Sequence, residues 1–223
     1  MAKITILHFS DVLCVWAYVA QIRVKELQDN FPEDVEFVFR YFSVFGDVGT
    51  RMASQWAHKG GIEGYAAHVQ EVAAQFDHVK LNPSVWRSDA PASSMPAHLF
   101  LCAARCLEQH EPAYAGSQQR LDGMIRSAFF EDNLDISNAD ALLQLVDTAG
   151  LPIDRIQAYL RHGEAHAAAV YDSQQAQELA VRASPAMTFN EGRQMLTGNV
   201  GYRVLEANIV ELLSSPQETQ SWC

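Results

Sequence analysis

Ser10-Asp11-Val12-Leu13-Cys14-Val15-Trp16-Ala17-Tyr18 places one cysteine where an apolar strand turns into a helix. Ile4, Ile6, Leu7 and Phe9 read as the strand, and the residues from Trp16 to Gln28 carry helical periodicity through Val19, Ile22 and Leu27. This spacing predicts Cys14 near the N-cap of the first long helix. Unpaired N–H groups and the positive end of the helix dipole stabilise a thiolate there, so a cysteine pKa can fall by a unit or more below about 8.5. Thiolate is the nucleophile, which makes Cys14 the candidate catalytic residue. Asp11 works against this, because a nearby negative charge raises a thiol pKa.

Outward from this junction, Val35-Glu36-Phe37-Val38-Phe39-Arg40-Tyr41-Phe42 is dense in β-branched and aromatic residues and is bounded by Pro32 and Gly46. It reads as the second strand of a βαβ unit. From about Ser54 to Ala180 the pattern becomes Ala-, Gln- and Glu-rich at helical spacing, with breaks near Pro91, Pro112, Asn133 and Gly150-Leu151-Pro152. This predicts a block of several helices. Ile136-Ser137-Asn138-Ala139-Asp140 is a helix start, with Leu142, Leu145 and Val146 on one buried stripe. Sheet character returns at Met187-Thr188-Phe189, turns at Asn190-Glu191-Gly192-Arg193 and resumes at Gln194-Met195-Leu196-Thr197, the pattern of a hairpin. A last helix from about Tyr202 to Leu213 offers Val204, Leu205, Ile209 and Leu212 for packing.

Cys14-Val15-Trp16-Ala17 resembles the redox motif of the DsbA-like branch of the thioredoxin superfamily, including its FrnE-like intracellular members. Those proteins carry Cys-x-x-Cys at this junction. Ala17 occupies the second cysteine position, so a two-cysteine exchange cycle cannot close within the motif. The stretch is also similar to the kappa-class glutathione transferases and the 2-hydroxychromene-2-carboxylate isomerases, which tend to place a serine at this point after a lead like Phe9-Ser10-Asp11-Val12-Leu13. The resemblance implies an α/β chain with a thioredoxin-like fold and a large helical insertion. Residues 1–50 and 181–223 are then the thioredoxin-like domain, and 51–180 the insertion.

Two further stretches carry the resemblance. Thioredoxin-fold proteins place a cis-proline where this chain has Ala183-Ser184-Pro185-Ala186-Met187, between a helix and a short strand. The resemblance implies that Pro185 is cis and that Ser184 can pair with an extended peptide or with the cysteinyl part of glutathione. At Thr197-Gly198-Asn199-Val200, kappa-class and isomerase relatives carry Gly-Ser-Asp or Gly-Asn-Asp, which holds the γ-glutamyl end of glutathione. Gly198 and Asn199 match the isomerase version, while Val200 stands in place of the carboxylate. Tyr202, Val204 and Leu205 reproduce a FrnE-like pattern. Trp16 either covers the pocket or fills the interface with the insertion. It joins Ser184, Pro185 and Asn199 as a substrate-binding candidate.

Composition narrows the function classes. At 223 residues with 48% hydrophobic content, the chain can bury a sizeable core. A formal net charge of -11, with no basic run, makes nucleic acid and anionic membrane poor partners. Met1-Ala2-Lys3-Ile4-Thr5-Ile6 runs straight into a strand pattern without a leader-like apolar core, and no segment is long enough to span a bilayer, so a cytoplasmic location is expected. Four cysteines in such a chain argue for free thiols rather than a disulfide framework.

His98, Cys102, Cys106 and His110 recur every four residues and invite a metal reading. Positions twelve apart on a helix lie about 18 Å from each other, so one ion cannot take all four, and structural packing is the expectation. No metal site is assigned. Cys223, at the end of the sequence, is expected to do nothing, and Tyr18, His8 and His58 are expected to be packing or surface residues. The aromatic residues Tyr65, Phe76, Trp86, Phe100 and Phe129 are too scattered to assign to pocket walls.

The preferred sequence reading is a DsbA-like thiol-dependent oxidoreductase in monothiol mode. Cys14 would attack a disulfide or glutathionylated sulfur, with an external thiol such as glutathione releasing it. No tightly bound cofactor is expected. The substrate is a small thiol or disulfide, or a protein thiol, and kappa-class resemblance implies a homodimer. Two alternatives stay open: a glutathione-dependent transferase or isomerase, and a non-catalytic binding protein on the same fold.

Overall fold

The computed structural model describes residues 3–190 and 192–214. Strand β1 (Ile4–Ser10) leads into helix α1 (Val15–Asn30) and strand β2 (Val35–Tyr41). The β-branched and aromatic residues of β2 fit a pleated surface, with Val35 and Tyr41 buried and Phe37, Val38 and Phe39 half-buried. β1 pairs in parallel with β2 from Ile4↔Val35 to Ser10↔Tyr41, as a βαβ crossover requires. Strands β3 (Ala186–Phe189) and β4 (Gln194–Thr197) form the expected hairpin, and β3 adds antiparallel to β1. The four-stranded order is β2-β1-β3-β4. Gly192 turns the hairpin at φ +89°, where a Cβ would also meet the Leu179 side chain at 2.4 Å.

Between β2 and β3 lie α2 (Val48–Gln55), α3 (Gly61–Ala73), α4 (Met95–His110), α5 (Ser117–Phe130), α6 (Ala139–Thr148), α7 (Ile153–His162) and α8 (Glu164–Glu178), and α9 (Tyr202–Ser214) follows β4. The helical block thus begins at Val48, ahead of the expected Ser54. Asn138 caps α6, its side-chain oxygen accepting from the N–H groups of Asp140 and Ala141. Leu142 and Val146 are buried beneath it, and Leu145 is half-buried.

α1 and α9 cover one face of the sheet, where Val24 and Leu27 meet Ile4, Ile6, Leu205, Ile209 and Leu212. Ala176 of α8 packs with Phe9 and Ala186 on another cluster. Two positions depart from the sequence pattern. Ile22 is 48% exposed and Val204 is 55% exposed, because each lies on the outer side of its helix. The largest apolar cluster joins the two parts of the chain: Val12, Leu13 and Val15 of the motif pack with α3, α4 and α5 residues such as Val69, Leu101 and Ile125. Leu13 is fully buried there, so truncation to alanine would cost about 2–5 kcal/mol. That packing fixes the cysteine loop against the insertion.

Candidate functional site

Cys14 is the N-cap of α1, in extended conformation and with no hydrogen bond from its side chain to the helix. Its sulfur donates to the carbonyl oxygen of Ser184 at 3.2 Å. The Ser184–Pro185 bond is cis. The Ser184 hydroxyl oxygen accepts from the Asp11 backbone N–H at 2.9 Å, which leaves its own proton free. The Gly198 N–H donates to the Pro185 carbonyl at 2.8 Å. Arg23 of α1 then donates to the Asn199 side-chain oxygen. Three separated stretches of sequence therefore meet at one end of the sheet.

Asp11 has a structural job that sequence alone did not reveal. Its buried carboxylate accepts from the N–H groups of Leu13 at 2.9 Å and Phe45 at 2.8 Å and from the Ser94 hydroxyl at 2.8 Å. His98 of α4 lies beside it, 3.7 Å away. These contacts tie the cysteine loop to the start of the insertion. His98 is fully engaged by this packing, and His110 sits at the exposed end of α4 with Nδ1 against the Cys106 carbonyl. Among the described residues, no three His, Cys, Asp or Glu side chains are grouped to hold a metal ion.

Behind the loop, Arg126 of α5 is 1% exposed and donates from each of its three nitrogens. It binds the Asp122 carboxylate through Nε at 2.9 and 3.1 Å, the Asp11 carbonyl at 3.1 Å and the Ser10 hydroxyl at 2.9 Å. Sequence reasoning missed this pair. The signal was an Asp and an Arg at i,i+4 on the same helix as the apolar stripe Leu121, Ile125 and Phe129.

The expected low pKa of Cys14 is overturned. Burial pushes the thiol up, opposed by the Ser184 hydroxyl and the Ala17 N–H, which favour the thiolate; Asp11 raises it further and Arg126 lowers it. The residue is 7% exposed, so desolvation outweighs the helix end. Cys102 and Cys106 are also raised by burial, Cys102 to about 12, and Cys102 sits against the Arg105–Asp172 pair instead of the motif. Cys223 lies outside the described residues.

Trp16 is half-buried and meets Phe76 edge to face at 6.4 Å, placing it against the insertion. Tyr65, Trp86 and Phe129, unassigned from sequence, form a continuous run of ring contacts at 5.0 and 5.2 Å, joined by Phe45. His8 is 6% exposed, and neither ring nitrogen has a partner. Tyr18 stacks on Phe130, and its one hydroxyl proton lies within reach of two acceptors, Glu131 Oε1 at 3.1 Å and the Lys80 carbonyl at 3.2 Å.

The fold and the cysteine at the head of α1 define a thioredoxin-type chain with a helical insertion. The chain belongs to the DSBA-like thioredoxin domain family, whose model matches residues 5–210. Among solved structures it is similar to a probable DsbA oxidoreductase from Streptomyces coelicolor, at 18% identity and TM-score 0.74, covering 98% of this chain and 94% of that one. It is similar to the cytosolic disulfide reductase DsbM from Pseudomonas aeruginosa, at 16% identity and TM-score 0.67, covering 93% and 99%. A 2-hydroxychromene-2-carboxylate isomerase matches at 13% identity and TM-score 0.63, covering 97% and 100%. At these identities the likeness establishes the fold. Comparison with curated proteins found no significant match. Among the described residues, no helix is long and apolar enough to cross a membrane.

Proposed function

We propose that the protein is a thiol–disulfide exchange enzyme that works through Cys14 alone, in the reducing direction, on glutathionylated or other mixed-disulfide substrates. The observation that carries this reading is the contact between the Cys14 sulfur and the Ser184 carbonyl beside Pro185. An incoming extended chain can replace the thiol as partner of that carbonyl through its own N–H, which brings its sulfur next to Cys14. Ala17 supplies no second sulfur, so the cycle needs an external thiol.

In the first step Cys14 loses its proton to solvent and its thiolate attacks the substrate disulfide. A Cys14–sulfur bond forms as the old S–S bond breaks, and the departing thiolate takes up a proton. An external thiolate then attacks the mixed disulfide, releasing Cys14 and carrying the oxidised sulfur away. The Ser184 hydroxyl and the Ala17 N–H are positioned to support the Cys14 thiolate.

A raised thiol pKa slows this chemistry without abolishing it. Each unit upward cuts the thiolate population about tenfold but raises its intrinsic reactivity about threefold, a net loss of about threefold. The same shift makes Cys14 a poorer leaving group, so capture of a sulfur is favoured and its release by the external thiol is the slower step. Because Cys14 is regenerated unchanged, the external thiol supplies the reducing electrons and sets the net direction. Strong oxidants of this fold instead stabilise the reduced thiolate.

Glutathione is the proposed external thiol and the cytoplasm the proposed compartment, in line with a fold neighbour described as a cytosolic disulfide reductase and also solved with glutathione. Homodimer formation rests on the kappa-class resemblance and plays no part in the mechanism. The second reading, a glutathione-dependent isomerase or transferase, is favoured by the neutral Cys14 thiol, which can donate to a bound thiolate as it donates to Ser184. Cys14→Ser separates the two. Exchange activity is abolished if the first reading holds, whereas a hydrogen-bonding role survives the change to a hydroxyl.

A further inference from the structure

Helix α5 sends two side chains one turn apart, Asp122 and Arg126, toward the strand, loop and helix that carry Cys14. Asp122 reaches α1, where it accepts from the Gln21 amide at 3.2 Å. Arg126 reaches the loop: its Nη1 donates to the Asp11 carbonyl at 3.1 Å and its Nη2 to the Ser10 hydroxyl at 2.9 Å. The same Asp11 carbonyl accepts the backbone N–H of Cys14, also at 3.1 Å. One oxygen therefore joins the guanidinium to the amide of the cysteine, and the turn it closes sets where Cys14 stands opposite Ser184.

Stability alone does not account for this pair. Arg126 and Asp122 are both buried, and a buried ion pair is often no better than apolar residues of similar volume, because desolvation offsets the attraction. Apolar residues could not donate to the loop backbone or keep a positive charge beside it. Asp11 is thereby held at both ends, its carboxylate by Leu13, Phe45 and Ser94 and its carbonyl by Arg126. Other groups near the sulfur are already committed. His98 of α4 lies against Asp11 and takes the Val12 N–H through Nε2 at 3.3 Å, and burial keeps Tyr65 of α3 neutral. Of the charges that act on Cys14, Asp11 opposes the thiolate and Arg126 favours it.

We propose that Arg126 is the positioning residue for Cys14: acting through the Asp11 carbonyl, it holds the cysteine opposite Ser184 and supplies the positive charge against which the thiolate forms. Asp122 orients the guanidinium and fastens it to α1 through Gln21. The role in turnover rests on the thiol-exchange reading, whereas the role in thiolate formation does not.

The test is the pH profile of Cys14 alkylation by iodoacetamide in the full chain, read by peptide mass spectrometry, with the exchange rate on a glutathionylated peptide and denaturant unfolding alongside. Asp122→Leu combined with Arg126→Met replaces the pair by apolar side chains and leaves no buried charge unpaired. Its alkylation midpoint should rise, and its exchange rate at pH 7 should fall several-fold. Arg126→Lys keeps the charge, but one ammonium cannot span Asp11 and Ser10. Its midpoint should stay below that of the double variant while exchange still slows. Asp122→Asn removes the anion and keeps the cation, so its midpoint should lie at or below that of the wild type. A purely structural role would instead move the midpoints in step with lost stability. The proposal is overturned if the folded double variant keeps the wild-type midpoint, or if Arg126→Lys rises as far as the double variant. It is overturned equally if wild-type Cys14 is never alkylated while the protein is folded. If the double variant does not fold, Asp122→Asn decides, and a raised midpoint there overturns the proposal. Alkylation needs the thiolate but no exchange. A protein with the expected midpoints and no exchange activity would therefore refute the function and leave the role of Arg126 standing.

Discussion

The Cys14 sulfur lies 3.2 Å from the carbonyl oxygen of Ser184, although 170 residues separate them in the chain. Ser184 acts at this contact through two groups: its carbonyl accepts the resting thiol, and its hydroxyl joins the Asp11 N–H and favours the thiolate. Ser184→Ala keeps the carbonyl and removes the hydroxyl. The Cys14 alkylation midpoint should therefore move to higher pH, and the exchange rate at pH 7 should fall several-fold. Loss of one partly buried hydrogen bond should lower stability by about 1 kcal/mol. Alkylation against pH, with chemical denaturation alongside, checks both. An unchanged midpoint would remove Ser184 from thiolate support.

Asp11→Asn should pull two properties apart. The carboxylate accepts three hydrogen bonds at the base of the cysteine loop, and an amide places donor hydrogens against some of those donors. Stability should fall by about 2–4 kcal/mol. Removing the negative charge should at the same time lower the Cys14 midpoint, because Asp11 raises that pKa. Denaturant unfolding and pH-dependent alkylation measure the two separately, and a midpoint that rises would refute this electrostatic account.

His8 gives the protein a pH dependence of known sign. Its folded pKa is lowered to about 4 from an ordinary 6.5, first by burial and then by the Arg126 charge, with Asp122 opposing. Below pH 6.5 the unfolded chain binds the proton that the folded chain refuses. The His8 contribution is thus complete above pH 6.5 and is lost as pH falls towards 4, by about 3 kcal/mol over the window. Unfolding free energy measured from pH 7 to 4 should show this slope in the wild type and a shallower one in His8→Phe. Equal slopes would contradict it.

What was legible in the sequence was local. The strand-to-helix position of Cys14, Asn138 as a cap, the hairpin around Asn190 and Gly192, and Pro185 at a helix-to-strand break all depend on nearest neighbours in the chain. The sign of the Cys14 shift was not legible. A helix N-terminus is a local property, but desolvation comes from the insertion, whose α3, α4 and α5 close over Val12, Leu13 and Val15. The Arg126 contacts were hidden for the same reason, since it stands 115 positions along the chain from Asp11. Helical spacing marked Ile22 and Val204 as packing residues, but the angular range that α1 and α9 turn inward is narrower than their apolar pattern suggested. His8 looked like an ordinary packing residue, with no sign in the sequence that both of its ring nitrogens would be buried without a partner.

The most direct test of the central claim is reaction with a glutathionylated peptide, followed by intact-mass and peptide mass spectrometry, in wild type and Cys14→Ser. Transfer of one sulfur adduct to Cys14, faster as pH rises above neutral and reversed by added glutathione, is the predicted result. Cys102 and Cys106 should stay unmodified, and Cys14→Ser should take no adduct at any described cysteine. Failure of Cys14 to acquire the adduct at any pH at which the protein stays folded, or peptide reduction that persists in Cys14→Ser, would contradict a mechanism that runs through this sulfur.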